Sequence, residues 1–242
     1  MRLDKAVTFA GLSRANAKKA ISAGRVSVNG VILKDSGQNV SEADLVFLDG
    51  APVRLKNALH LMLNKPAGFI TATEDAKGQS TVLDLIPREF KLKDLGPVGR
   101  LDKDVTGLVI LTTDGQLAHR LISPKRDIEK MYTATVEGAL DEACVKAFYE
   151  GIKLSDFVAK SARLEIVSAG ADTSVCNVYI TEGKFHQVKR MLASVGHPVI
   201  KLKRLRISSL WLDERLAEGE CRELTYDEET SLYEAAGMGE NE

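Results

Sequence analysis

The sequence predicts an α+β protein in two parts: a small module of helices and a hairpin, then a larger mixed, mainly antiparallel β-sheet with helices packed on it. Three observations carry this expectation. Residues 1 to 45 hold two short amphipathic runs, each closed by a glycine, followed by a two-residue hairpin turn. Residues 46 to 58 contain Asp49-Gly50 and Pro52 and then lose periodicity, as a linker between domains does. From Leu59 onward β-rich runs alternate with short helical patterns, at spacings too irregular for a doubly wound parallel sheet.

The small module reads element by element. Residues 2 to 10 form a short helix with Leu3, Val7 and Ala10 on one face, ended by Gly11. Ser13 is an N-cap for a second helix, Arg14 to Ala23, whose apolar stripe is Ala17, Ala20 and Ile21. Arg14, Lys18 and Lys19 lie largely away from that stripe. Arg25 to Val28 and Val31 to Leu33 then flank Asn29-Gly30, whose residues tolerate the positive φ of a tight hairpin. Seven basic and four acidic side chains fall in residues 1 to 45, a module too small to house an active site.

The larger part, residues 59 to 230, carries candidate strands at Leu59 to Leu63, Phe69 to Thr73, Leu108 to Thr113, Met131 to Val136, Arg163 to Val167 and Val175 to Thr181. Candidate helices are Gln116 to Ile122, Glu142 to Glu150 and His186 to Val195. Residues 231 to 242 are expected to be an acidic tail. No glycine-rich phosphate loop follows any strand, so a nucleotide-cofactor enzyme is not indicated.

Charge is unevenly distributed. The net charge of the chain is -1, yet eleven Asp and Glu against two Arg fall from residue 212 onward, leaving 31 basic and 23 acidic side chains before it. A basic body of that kind suits a polyanion. The three cysteines, Cys144, Cys176 and Cys221, are odd in number and far apart, which fits neither a disulfide framework nor a thiolate metal site. No apolar run approaches the roughly 18 residues that span a bilayer, and the expectation is a soluble cytoplasmic protein.

Two stretches concentrate the chemistry. The first is Gly99-Arg100-Leu101-Asp102-Lys103-Asp104-Val105-Thr106-Gly107, a charged loop feeding an apolar strand, where function commonly sits. Asp102 or Asp104 could do covalent or acid-base work there, and the Asp-x-Asp pair could also take a divalent cation. The second is Glu182 to Met191, EGKFHQVKRM, an amphipathic helix start with Gln187, Lys189 and Arg190 on its polar face. Seven basic residues and no acidic one fall from Lys184 to Arg206. His186 and His197 have no Cys or Glu at metal-ligand spacing. One carboxylate and one basic helix, without cofactor or metal motif, restrict the chemistry. Isomerisation at a nucleoside needs a carboxylate near the sugar, a cation to keep it ionised and a platform for an extruded base.

These motifs resemble known families. RLDKAV, GLSRANAKKAI and GRVSVNG resemble the S4 RNA-binding domain, and GRLDKDVTGLVILTTDG resembles the catalytic motif of the pseudouridine synthases. LMLNKPAG, the segment around Lys130 and Tyr132, and EGKFHQVKRM followed by Gly196-His197 extend the likeness over nearly the whole chain, toward the RsuA branch. The resemblance implies that Asp102 is the catalytic aspartate, acting as a nucleophile or as the base that generates a glycal. It implies that Tyr132 stacks on the uracil, with core packing as its other role, and that Lys189 pairs with the aspartate where many relatives have Arg. Arg100 is implied to brace the gap left by the flipped nucleotide, with a structural pairing to Asp104 or Asp114 as the alternative. Arg14, Lys18, Lys19 and Arg25 are implied phosphate contacts, and Gln187 and Arg190 further RNA contacts. The implied partner is small-subunit (16S) ribosomal RNA or its assembly particle, bound by a monomer without cofactor, metal or membrane. Large-subunit RNA, a non-catalytic assembly factor and a metal-dependent nuclease are the competing expectations.

Overall fold

The computed structural model describes residues 1–41, 44–53 and 58–238. The chain divides into two compact units, Met1–Ala58 and Leu59–Glu242. In the first, α1 (Leu3–Ala6) tightens into a 3-10 turn over Val7–Ala10 and is ended by Gly11 at φ +83°. The run Val7-Thr8-Phe9 holds β-branched and aromatic residues of low helix propensity, so the expected single helix changes form halfway. Ser13 caps α2 (Arg14–Ser22), its hydroxyl accepting from Asn16 N–H at 3.3 Å.

β1 (Val26–Val28) and β2 (Val31–Ile32) form the expected hairpin around Asn29-Gly30. Residues 46 to 53, expected in the linker, instead form β3 (Val46–Leu48) and β4 (Ala51–Val53), and β3 lies antiparallel to β1. Asp49 and Gly50 take φ +52° and +80°, nearly the conformation of Asn29 and Gly30 at +50° and +83°, so this dipeptide turns a hairpin rather than ending a domain. Residues 54–57 of the expected linker lie outside the described residues. Leu3, Val7, Ala17, Ile21, Val26 and Val46 close a small core.

The second unit is built on one sheet. In chain order it contains β5 (His60–Lys65), β6 (Gly96–Pro97), β7 (Thr106–Thr112), α3 (Gly115–Ile122), β8 (Lys130–Glu137), α4 (Glu142–Glu150) and β9 (Arg163–Ala169). β10 (Thr173–Ile180), α5 (Gln187–Ser194), β11 (Val199–Ile207), β12 (Leu210–Trp211), β13 (Cys221–Glu223) and α6 (Tyr226–Ala235) follow. The strands run β13-β5-β7-β11-β8-β10-β9, with β6 beside β7 and β12 beside β11. Among the described strand pairs only β7 and β11 are parallel, which makes the sheet mixed and mainly antiparallel.

Alternation along the strands sorts the core into two layers. Leu61, Val109, Ala134 and Val178 pack with Phe148 of α4 and Met191 of α5, while Met62, Leu108 and Ile110 pack with Leu117 of α3 and Leu232 of α6. Residues 231 to 236, expected in the tail, therefore continue a packed helix, with Leu232 and Ala236 buried. Its N-terminus is fixed by a Thr225–Glu228 capping box and by the Arg222 fork on Glu228, both arms at 2.8 Å. Residues 239–242 lie outside the described residues. Cys144 and Cys176 are buried, Cys221 is half-buried, and all three are free.

Phe69 to Thr73 is not a strand; Ile70 alone bridges, to Thr81. Thr71 turns inward instead. Its buried hydroxyl donates to the Leu101 carbonyl at 2.8 Å and accepts from the Leu101 N–H at 3.1 Å. Thr71→Val keeps the shape and orphans two buried backbone groups, at about 1–3 kcal/mol each. We expect a urea midpoint lowered accordingly, with slower turnover because Leu101 precedes Asp102. A variant as stable as the wild type would show that the loop is held by other contacts.

Candidate active site

The loop Gly99 to Val105 is tied from below. Lys65, at the end of β5, is fully buried, and its ammonium donates to the carbonyls of Pro66 (3.0 Å), Lys103 (3.2 Å) and Val105 (2.7 Å). Burial pulls its pKa down to about 8, while the charges of Asp104 and Asp102 oppose that fall. Gly107 follows at φ +101°, where β7 passes close to the backbone of Arg204. Together with Thr71, these contacts fix the polypeptide that presents Asp102.

The other wall comes from the start of α5. His186 takes the left-handed conformation, φ +50°, and its Nε2 lies 3.5 Å from Asp102 Oδ1. Lys189 Nζ lies 3.7 Å from Asp102 Oδ2 and 2.7 Å from both oxygens of Asp104. The Lys189 hydrogen bonds hold the Asp104 carboxyl below the usual carboxylate range. Lys189 is therefore shared between the two aspartates and lies nearer to Asp104 than to Asp102, with which it was expected to pair. The cleft between these walls is lined by Arg100, Asp102, Tyr132, His186, Gln187 and Lys189, among others. Tyr132, 8% exposed, packs in the core and also forms part of the cleft wall.

Two expected RNA contacts are otherwise engaged. Gln187 is buried, donating to Glu182 Oε1 at 2.7 Å and accepting from the Lys184 N–H at 3.0 Å, so it braces the turn before α5. Arg190 does not line the cleft; it pairs with Asp156 and donates to Ser155 Oγ at 3.1 Å. Arg100 makes no ion pair among the described residues. Its alternative partners are taken, Asp104 by Lys189 and Asp114 by the N-terminus of α3 and the Tyr233 hydroxyl at 2.8 Å.

In the first unit, buried Asp4 draws Arg14 and Arg2 to 3.3 Å and Lys18 to 3.9 Å. Burial alone would raise its pKa, but the hydrogen bonds from Arg14 and Arg2 outweigh it and hold the carboxyl below the ordinary range. Arg25 pairs with Asp49 at 2.9 Å, and Lys19 has no partner among the described residues. Both Arg14 and Lys18 stay more than half exposed while anchored, leaving a fixed cationic face.

Lys65, Thr71 and the contact of His186 with Asp102 are parts of the site that the sequence pattern did not single out. Lys65 stands in LMLNKPAG, and a lysine ending an apolar strand beside Pro66 was the signal available. Within the basic run after α5, Arg204 is buried in β11 with its Nε donating to the Leu108 carbonyl at 2.8 Å.

The family profile described as RNA pseudouridylate synthase matches residues 59–194, and the S4 domain profile matches residues 1–46. The chain is 39% identical over 236 residues to ribosomal small subunit pseudouridine synthase A of Salmonella typhimurium, spanning 96% of this chain and 100% of that one. It is 36% identical to ribosomal large subunit pseudouridine synthase B of Bacillus subtilis, spanning 99% and 98% of the two chains. A crystal structure of a pseudouridylate synthase superposes with a TM-score of 0.67 at 38% identity, over 96% of this chain and 99% of that one.

Proposed function

We propose that this chain, which belongs to the RNA pseudouridylate synthase family, isomerises a uridine of small-subunit (16S) ribosomal RNA with Asp102 as its catalytic carboxylate. The reaction breaks the N1–C1′ bond, turns the uracil and forms the C5–C1′ bond; C5 gives up its hydrogen as a proton and N1 takes one up, so substrate and product are isomers. Only protons are exchanged with the surroundings, so the groups required are a carboxylate, a cation and a base platform.

The observation that carries the reading is Asp102 in the cleft, with Lys189 at 3.7 Å and His186 at 3.5 Å. The carboxylate lines the cleft between these two neighbours, where its oxygens can approach the sugar or base, as a nucleophile or as the base that forms a glycal. Tyr132 offers a ring in the same cleft for the extruded uracil, and Arg100, which also lines it and makes no ion pair among the described residues, suits the gap that extrusion leaves. Arg14, Lys18, Lys19 and Arg25 are read as phosphate contacts, with a cytoplasmic monomer acting on the RNA or on an assembly particle. Gln187 and Arg190 act by holding the α5 turn rather than by touching RNA.

The small-subunit substrate rests on the names of relatives aligned over nearly their full length, and the large-subunit relative at 36% identity supplies the second reading. Mapping pseudouridines in both ribosomal RNAs, from cells with and without the gene, separates them. One lost site in 16S RNA is expected, and it should be restored in vitro in excess chelator beyond what RNA folding needs. A lost site in 23S RNA would move the substrate to the large subunit. Unchanged maps would overturn the reading.

A further inference from the structure

We propose that the stacked rings of Phe185 and His186 form a second RNA contact, which receives a nucleobase flanking the target uridine. The inference rests on the reading above and extends the site beyond the uridine cleft. Phe185 is 72% exposed, yet its ring lies against the His186 imidazole at 3.7 Å between centroids and 18° between planes. His186 lines the cleft and faces Asp102, so the pair begins inside the site and ends in solvent.

The chain strains to present this step. His186 holds φ +50°, a conformation disfavoured for a residue with a Cβ. The surrounding turn over-determines it. Gln187 ties Lys184 to Glu182, Glu182 accepts from the Lys160 N–H at 2.8 Å, and Arg190, anchored on Asp156, donates to the Phe185 carbonyl at 3.4 Å. A large apolar ring left mostly in water gains little from burial in the free protein, and its exposed face is open to a planar partner. Cations flank it: Lys184 lies over the Phe157 ring at 3.8 Å, and Lys189 is one turn on.

Extruding a uridine supplies the planar partner. Once the nucleotide leaves the stack, its neighbours each lose a stacking face, and a rigid aromatic step at the cleft mouth replaces one of them. The structure thus points to a nucleobase next to the uridine, rather than to the uridine itself, which Tyr132 serves.

The test uses the full chain with 16S and 23S transcripts carrying tritium at C5 of uridine. Filter retention reads binding and tritium release reads isomerisation. Phe185→Ala and Phe185→Leu should bind the substrate transcript at least about tenfold more weakly and lose kcat/KM by a similar factor. Phe185→Trp should match the wild type, with saturated rates little changed throughout. Thermal melts should coincide, because the ring is exposed. An alanine variant with unchanged binding and kcat/KM overturns the proposal, as does full rescue by leucine or a loss confined to kcat. Retention does not depend on isomerisation: a wild type that binds without releasing tritium defeats the functional reading, while the binding ratios still decide the stacking. Retention of neither transcript overturns both.

Discussion

Gly107→Ala is expected to leave the second unit largely unfolded at temperatures where the wild type is intact. The residue holds φ +101°, and a Cβ there would lie 2.2 Å from the Arg204 carbonyl oxygen and 2.9 Å from the Arg204 nitrogen. Both obstacles are backbone atoms of a neighbouring strand, so no rotamer change relieves them. This is also where β7 and β11 join in parallel, pairing Lys203 with Thr106 and Arg204 with Gly107 at the middle of the sheet. Separation of the strands would break the Arg204 bond to the Leu108 carbonyl. We expect a cost above about 4 kcal/mol, against a total stability on the order of 5–15 kcal/mol. Gly115→Ala is the control: its Cβ would meet nothing within 4 Å at the start of α3, and it should be neutral or stabilising. A Gly107→Ala protein melting within a few degrees of the wild type would show that the two strands can part without loss.

The legible parts of this fold were those where one local signal dominates. Glu142–Glu150 is a helix at the residues its periodicity marks, capped by the Asp141 carboxylate on Cys144 N–H. Asn29-Gly30 makes its turn. Elsewhere the signal was present and assigned to another cause. Asp49-Gly50 carries the same turn chemistry, but Pro52 and the short flanks made it resemble a domain break; strands of three residues are stabilised by their neighbours rather than by their own pattern. β11 was hidden by Lys201, Lys203, Arg204 and Arg206. A central strand rarely carries four cations, and only tertiary partners such as the Leu108 carbonyl make a buried arginine tolerable.

The site divides along the same line. The loop with Asp102 and the helix start with Lys189 were visible because long motifs carry them. The contacts between them were not. That Lys189 leans on Asp104, that His186 faces Asp102 and that Lys65 bolts the loop all depend on separations of 38 to 85 residues along the chain or on a left-handed turn.

The second large effect concerns the carboxylates. Asp102→Asn removes one charge and almost no volume, and Lys189 keeps its 2.7 Å bonds to Asp104, so the cleft and its RNA affinity should persist. Turnover should fall on the order of a thousandfold or more, as when other enzymes lose a group that reacts directly. Asp104 is different in kind. It is largely exposed and bonded to Lys189 alone among the described side chains, so Asp104→Asn frees Lys189 to close the 3.7 Å gap to Asp102. Activity should be retained, with at most a modest change in rate.

The most direct measurement is therefore tritium release from saturating substrate transcript by these two variants side by side, each first shown to retain the RNA on a filter. The expected result is that Asp104→Asn releases tritium at a rate near that of the wild type, while Asp102→Asn binds the RNA and releases none above background. Comparable losses in both variants, or release by Asp102→Asn at the rate of Asp104→Asn, would contradict the assignment of Asp102 as the reacting carboxylate.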